Sequence, residues 1–216
     1  MPESMTFDEF NALYAETHDD RSMPYEQYFG EMRITEEQKE KREKTARELE
    51  EIMLLALMIA YYMNQTGYFD YADIAGRAVS SYKEVIRSGS IEVSEFFIEQ
   101  HIPYTVANIF STMARNPDNE WNYTIDRARA IAENEANSLW NDAEFTEAVL
   151  KGKKHKRWRA IIDKATRDSH REANGQVKPI MEPFEINGYL AQFPRDDSLG
   201  MDESEIANCR CSVQYY

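Results

Sequence analysis

The chain has 216 residues, of which 42% are hydrophobic and 30% are charged. This composition is typical of a folded protein and excludes a mainly disordered one, and the length accommodates one large domain or two small ones. The net charge of −14 argues against a dedicated nucleic-acid-binding protein, because neutralising phosphates requires cationic side chains. Positive charge is nevertheless concentrated in residues 151–178, which hold 10 basic and 3 acidic side chains.

Two features bear on the compartment in which the protein is made. The opening sequence, MPESMTFDEF, has neither the basic start nor the apolar core of a signal peptide. The longest apolar run, residues 52–63, would span about 18 Å as a helix, against about 30 Å of bilayer hydrocarbon. We therefore expect a protein made in a reducing cytoplasm, with a core helix at 52–63 and no membrane partner.

Residues 1–120 predict a helical N-terminal region with long helices. Thr35 is a favourable N-cap followed by acidic residues, and Gly67 is a helix stop, so a helix of about 30 residues is expected between them. A break is predicted at 18–24, and Pro103 is expected to separate two further helices. The other predicted helices span 5–17, 70–88, 92–101, 104–115 and 121–149.

The sequence pattern changes after Lys151, where period-two runs, prolines and single glycines predict short strands. The first strand is predicted at 155–163, with Trp158, Ala160 and Ile162 on the same face, and a short helix follows it. The fold class is therefore α+β: a mainly helical N-terminal region, then a small irregular α+β C-terminal domain. We place this second domain at 121–216, so that it includes the last long helix.

Several short motifs follow one another in the second domain. They are Glu135-Ala136-Asn137 on the long helix, Asp163 at the end of the first strand, Thr166-Arg167-Asp168-Ser169-His170, Gly175-Gln176, Phe184, and Asn208-Cys209-Arg210-Cys211. In this order and spacing they resemble the C-terminal domain of the Mu F-like head morphogenesis family of tailed bacteriophages, over about residues 125–216. Two sites depart from the family pattern: Glu133-Asn134 replaces the usual Arg-Thr, and Pro194-Arg195-Asp196 replaces a common Pro-Gly-Asp.

The resemblance implies a structural assembly factor and not an enzyme. Members of the family are minor head (minor capsid) proteins that associate with the portal or the capsid interior, and some contact packaged DNA. For this chain it implies synthesis in the host bacterial cytoplasm and a place in the virion, at the head interior or the portal vertex. The implied partners are portal, capsid or scaffold proteins and DNA. The resemblance carries no information on residues 1–120.

The two cysteines, Cys209 and Cys211, would lie on the same side of an extended chain, so their thiols should converge. Their Cα atoms would be about 6.5–7 Å apart, at the long edge of disulfide geometry. Together with His170, and with Asp163 or another acidic residue as the fourth ligand, the two thiolates would make a tetrahedral site for Zn²⁺, the one cofactor that this sequence suggests. A chain of this kind would be a zinc-stapled binding module.

Two alternatives for these residues stay open. In the first, the thiols pack as small hydrophobic groups and His170 hydrogen-bonds to the backbone. In the second, His170 and the cysteine pair form the catalytic centre of an enzyme or toxin domain. The second is disfavoured because no glycine-rich turn near Cys209 or Cys211 would supply an oxyanion site.

The basic segment 151–159 is a second candidate site. Its cations would contact DNA phosphates, with Trp158 stacking on a base. The simpler interpretation is a solvated loop with Trp158 in the core. This interpretation is favoured for Trp158, whereas both interpretations stay open for the lysines. The candidate nucleic-acid contacts are Lys151, Lys153, Lys154, Lys156, Arg157 and Arg159.

Three further expectations concern packing. Glu135 and Asn137 are expected to dock the long helix onto the C-terminal domain. Thr166 or Asp163 is expected to cap the short helix, and Arg167 to pair with a buried carboxylate. The apolar run 52–63 is expected in the core, with a surface for a protein partner as the alternative.

Overall fold

The computed structural model describes residues 5–17, 23–67 and 70–216, and the predicted break at 18–24 lies largely outside these ranges. The α-helices are α1 (Phe7–Thr17), α2 (Tyr25–Gly30), α3 (Glu36–Thr66), α4 (Tyr71–Ser88), α5 (Ile102–Arg115), α6 (Ile125–Leu150), α7 (Asp168–Ala173) and α8 (Glu203–Ile206). A π-helical turn precedes α5 at Phe97–His101, and a 3₁₀ turn precedes α6 at Glu120–Tyr123. The strands are β1 (His155–Arg159), β2 (Val177–Pro179), β3 (Phe184–Ile186), β4 (Tyr189–Ala191) and β5 (Ser212–Tyr215). The α+β fold class is confirmed.

The helix α3 begins and ends where its sequence signals place it. The Thr35 hydroxyl accepts from the backbone N–H of Gln38 at 3.3 Å, and the Gln38 side chain accepts from the backbone N–H of Thr35 at 2.8 Å. This reciprocal capping box satisfies two of the free N–H groups at the helix start. At the other end Gly67 adopts φ 70°, a left-handed conformation that glycine reaches without steric cost.

The region around Pro103 differs from the prediction of two separate helices at 92–101 and 104–115. Helical structure is continuous from residue 95 to 115, and it passes through the π-helical turn Phe97–His101 into α5. In that turn the backbone N–H of Ile102 bonds to the carbonyl of Phe97, five residues earlier. Because proline lacks an N–H and crowds the carbonyl four residues before it, the wider turn accommodates Pro103 without a break.

A large helical core forms where α3 packs along α6. The α6 face towards α3 carries small side chains at a spacing of four residues, Ala128, Ala132 and Ala136, and all three are fully buried. Small residues at this spacing let the two helix axes come close together. Within the described ranges, no helix is long and apolar enough to cross a membrane.

The C-terminal domain has a second core, beneath a three-stranded antiparallel sheet in the order β2-β1-β5. Trp158 of β1 lies opposite Val213 of β5 and is 1% exposed, so the prediction that it belongs to the core is confirmed. The prediction for Ile162 is wrong, because β1 ends at Arg159 and the Ile162 side chain is 54% exposed. β3 and β4 form a separate hairpin beside the sheet.

The helix α6 also packs against the strand-containing part of its own domain, residues 151–216. Its Asn141 side chain donates to the carbonyl of Pro194 at 3.1 Å, and its Asn137 side chain donates to the carbonyl of Cys209 at 2.9 Å. The same two amides accept from the buried guanidinium of Arg42 in α3, each at 3.3 Å. The polar side of α6 therefore holds the cysteine segment at a fixed place relative to the helical core.

Candidate functional site

Two thiols and one imidazole meet in the interior of the C-terminal domain. The Nδ1 atom of His170 lies 3.3 Å from Sγ of Cys211 and 3.6 Å from Sγ of Cys209. One donor atom from each of the three residues lies within 4.8 Å of the other two. All three side chains are buried, and both thiols are free. The predicted convergence of Cys209, Cys211 and His170 is thus present in the fold.

Local structure on both sides of the cluster explains this convergence. His170 lies on α7, which follows a turn in which the Thr166 hydroxyl donates to the Asp163 carboxylate at 2.8 Å. The predicted cap by Thr166 or Asp163 is wrong in detail, because the N-cap residue is Arg167 and it makes no side-chain cap. The cysteines follow Asn208, whose φ of 54° turns the chain towards the strand β5.

A carboxylate lies on the far side of the His170 ring. The Oε2 atom of Glu205 is 3.2 Å from Nε2 of His170, an ion-pair distance without the alignment of a hydrogen bond. Glu205 is held by the Ser169 hydroxyl at 2.8 Å and by the Asn187 amide at 2.9 Å. The sequence prediction missed Glu205, because it lies 35 residues from His170, on the short helix α8, and belongs to none of the recognised motifs.

The three groups also shift one another's pKa. The hydrogen bond from Cys211 lowers the pKa of Cys209 well below its usual value, against the effect of burial and with the help of His170. The pKa of Cys211 is raised in turn by its neighbour Cys209 and by burial. Burial lowers the pKa of His170, but the Cys209 sulfur and the Glu205 carboxylate outweigh this and leave it raised. A thiolate beside an imidazole is able to act as a soft metal ligand or as a nucleophile.

Asp163 does not belong to the cluster, which corrects its assignment as the fourth metal ligand. Its carboxylate accepts from the backbone N–H of Ala165 at 2.9 Å and pairs with the guanidinium of Arg210. Arg210 also pairs with Glu31, which precedes α3. Side chains alternate between the two sides of an extended chain. Arg210 lies between the two cysteines, so its side chain points away from them and pairs with Asp163 on the opposite side.

A cavity of about 410 Å³ opens beside the cluster, and His170, Cys209 and Cys211 all line it. Arg167 and Tyr28 are also in its wall. The Tyr28 hydroxyl is buried and has no hydrogen-bond partner among the described residues. Arg167 donates to the carbonyl of Ala207, so the prediction that it pairs with a buried carboxylate is wrong.

The basic segment divides into exposed and buried side chains. Lys151, Lys153, Lys154 and Arg157 are exposed, and Arg159 is half-buried. Lys156 is fully buried, which corrects its assignment as a nucleic-acid contact. Side chains alternate along β1, so Lys156 points inwards like Trp158. The Lys156 ammonium donates to the carbonyl of Gln192 at 2.9 Å. It also lies 5.0 Å from the ring centres of Phe145 and Phe184.

A second buried polar cluster joins the π-helical turn to the C-terminal domain. His101 lies between Glu135 and Asp197, with Nε2 3.1 Å from the first carboxylate and Nδ1 3.0 Å from the second. Burial disfavours the charged ring, but the two carboxylates outweigh this and raise the pKa of His101 to about 10. Arg195 approaches Glu135 at 3.7 Å from the other side. Glu135 and Asn137 therefore both dock α6 onto the C-terminal domain, as predicted.

The two departures from the family pattern lie next to each other in this cluster. Arg195 has φ 69°, in the left-handed region that favours glycine. Its guanidinium donates to the side chain of Asn134 at 2.6 Å and to the Ser138 hydroxyl at 2.7 Å. An arginine from the loop therefore occupies the space beside residues 133–134 of the helix, where the resembled family carries its own arginine.

Comparison with known proteins identifies a family match over the C-terminal half of the chain. The family model described as Phage Mu protein F like protein matches residues 107–214, half of the chain. The chain is also similar to the NAD(+)--arginine ADP-ribosyltransferase EFV of Enterococcus faecalis (strain ATCC 700802 / V583), with 34% identity over 108 residues. That segment is 48% of this chain but only 22% of the relative. No solved structure matches.

The family match begins inside α5, ahead of the long helix, and ends in β5, so it includes α6, the His170–cysteine cluster and the whole sheet. The motifs in the sequence, the α+β domain that they build and the matched range all agree. The chain belongs to the phage Mu protein F like family and is a phage head morphogenesis protein.

Proposed function

We propose that the protein is a minor head protein of a tailed phage or prophage that binds the portal or the inner capsid surface during head assembly. The observation that carries this proposal is the family match over residues 107–214. The protein then acts as an adaptor without turnover, and its final place is the head interior or the portal vertex. Portal, capsid or scaffold proteins are its partners.

An exposed apolar strip on α3 supports binding to a protein partner. Leu55 is 54% exposed and Tyr62 is 47% exposed, and they lie seven residues apart on one face of the helix. The opposite face of the same helix is in the core, with Met53, Leu57 and Tyr61 buried. The apolar run 52–63 therefore serves the core on one side and offers a contact surface on the other.

Capture on the cognate portal tests the partner. We expect the purified chain to bind immobilised portal, and Leu55→Ser/Tyr62→Ser to weaken that binding at least tenfold, because the variant removes apolar area from the contact. A matched control is Met181→Ser/Leu190→Ser, which changes two exposed apolar residues of the C-terminal domain. Equal binding by both variants, or no binding by the wild-type chain, would refute the proposed surface.

Contact with packaged DNA is the second part of the proposal. The exposed cations Lys153, Lys154 and Arg157 lie close together in an otherwise acidic protein. We expect weak, salt-dependent binding to duplex DNA that Lys153→Glu/Lys154→Glu/Arg157→Glu abolishes. The control Lys44→Glu/Arg77→Glu/Arg87→Glu makes the same charge change at exposed positions elsewhere. An equal loss in the control would assign the effect to net charge and not to this segment.

The likeness to the ADP-ribosyltransferase supports a different candidate, an enzyme or toxin function. The shared segment is 22% of that relative, so most of the relative has no counterpart in this match. We expect no transfer of ADP-ribose from labelled NAD⁺ to arginine by this chain. Transfer that is lost in His170→Ala, while the variant stays folded, would favour the enzyme instead.

A further inference from the structure

We propose that His170, Cys209 and Cys211 bind one zinc ion, with the fourth coordination position open to the adjoining cavity. The proposal concerns the interior of the C-terminal domain and does not depend on which head component the protein binds.

The spacing of the three donor atoms fits this ion. Tetrahedral zinc, with Zn–S of about 2.3 Å and Zn–N of about 2.0 Å, requires a separation of about 3.5 Å between a sulfur and a nitrogen ligand. The observed separations from Nδ1 of His170 are 3.3 Å to Cys211 and 3.6 Å to Cys209. Both sulfur–nitrogen separations therefore already match those of a tetrahedral zinc site.

The chemistry of the donors selects a soft or borderline cation. Two thiolates and one imidazole are ligands that zinc prefers and that magnesium and calcium do not. The charges of two thiolates also balance the charge of a divalent ion. The ion and its three protein ligands are therefore neutral together, in a buried place where a net charge would be costly. Binding releases the thiol protons to solvent and involves no change of oxidation state.

The surroundings supply the second layer of contacts that such sites have. Metal-bound histidines commonly donate their other ring N–H to a carboxylate, which fixes the tautomer. Glu205 lies beside that ring nitrogen, at an ion-pair distance of 3.2 Å from Nε2 of His170, and is itself held by Ser169 and Asn187. On the ligand side, the Asn137 amide fixes the Cys209 carbonyl at 2.9 Å. Both features orient ligand residues without touching the ion.

The fourth position distinguishes this site from a closed structural one. Among the described residues, no fourth histidine, cysteine or carboxylate joins the cluster. The three ligand residues all face the cavity of about 410 Å³, which the Tyr28 hydroxyl also lines without a partner. A water molecule bound to zinc at the open position would lie in this cavity, which leaves the position accessible to an exchangeable ligand.

Metal reconstitution of the full chain tests the proposal. The reduced protein is incubated with Zn²⁺, desalted and assayed by elemental analysis, and Co²⁺ is used as a spectroscopic substitute. We expect about one zinc per chain and a cobalt spectrum with thiolate charge-transfer bands of tetrahedral geometry. Substoichiometric zinc, at about a tenth of an ion per chain or less, or a cobalt spectrum without thiolate bands, would overturn the assignment.

Variants locate the metal. Cys211→Ser and His170→Ala each remove a ligand and should abolish stoichiometric binding. Because both residues are buried and such variants risk misfolding, Glu205→Gln is the decisive variant: it keeps all three ligands and should weaken zinc affinity about 10- to 100-fold. The matched control is His155→Ala, an exposed histidine of the same domain, which should bind zinc like the wild-type chain. Loss of zinc in the control, or unchanged affinity in Glu205→Gln, would contradict the site as described.

Discussion

His101 is held between Glu135 of α6 and Asp197 of the C-terminal domain, so its charge links three parts of the fold. Its pKa of about 10 lies above the ordinary value near 6.5, and the ring is therefore protonated at neutral pH. Two further groups contact the same Glu135 carboxylate: Arg195 at 3.7 Å, and the Tyr82 hydroxyl, which donates to it at 3.4 Å.

The raised pKa of His101 makes a prediction for stability as a function of pH. Because the folded state holds the proton more tightly than the unfolded state, this stabilisation is complete below about pH 6.5 and is lost as the pH rises towards 10. In urea unfolding, wild type should therefore exceed His101→Gln in stability most at pH 6.5, and the difference should shrink steadily up to pH 10. A difference that stays constant over this range would show that the charge of His101 plays no part. The control His155→Gln should match wild type throughout.

The cluster of His170 with the two cysteines shows how far residue-level prediction reaches. The i, i+2 spacing of Cys209 and Cys211 predicts that both thiols lie on the same side of an extended segment. The grouping of His170 with them follows from the ligand types that zinc prefers. Asp163 was misassigned because its true partner, Arg210, lies on the opposite side of the same extended segment. Glu205 lies on α8 and Tyr28 on α2, and no periodicity in the sequence connects either residue with the cluster.

At the level of elements, α3 was predictable because its ends carry local signals that act within one turn. Thr35→Ala removes the hydroxyl of the capping box and should lower the free energy of unfolding by about 1 kcal/mol, measured by urea denaturation. Ser81→Ala, an exposed position inside α4, is the control and should change stability little. If the two variants have the same stability, the cap contributes nothing to this helix.

Other elements depend on packing that the sequence does not display. Pro103 predicts a helix break, but a π-helical turn accommodates it. Phe97, His101 and Ile102, in or directly after this turn, are buried. The helix α6 was assigned to the second domain, at 121–216. It buries its alanines against α3 and holds the cysteine segment through Asn137, so it contributes to both cores.

At the scale of the whole molecule, exposed cations and exposed apolar residues lie in different parts of the protein. Acidic side chains outnumber basic ones by 29 to 13 over residues 1–150, whereas the exposed cations Lys153, Lys154 and Arg157 lie in or just before β1, the central strand of the C-terminal sheet. The apolar strip of Leu55 and Tyr62 is on α3, in the N-terminal region that carries no family motif. This distribution suits an adaptor that meets a protein through its helices and a polyanion through its C-terminal domain.

The composition of assembled heads tests the central claim most directly. The cognate portal, scaffold and major capsid proteins are co-expressed with this chain, procapsids are isolated by sedimentation, and each component is quantified by mass spectrometry. A minor head protein predicts that the chain sediments with procapsids, at far fewer copies than the major capsid protein. A chain that stays entirely in the soluble fraction, while procapsids form normally, would contradict the account.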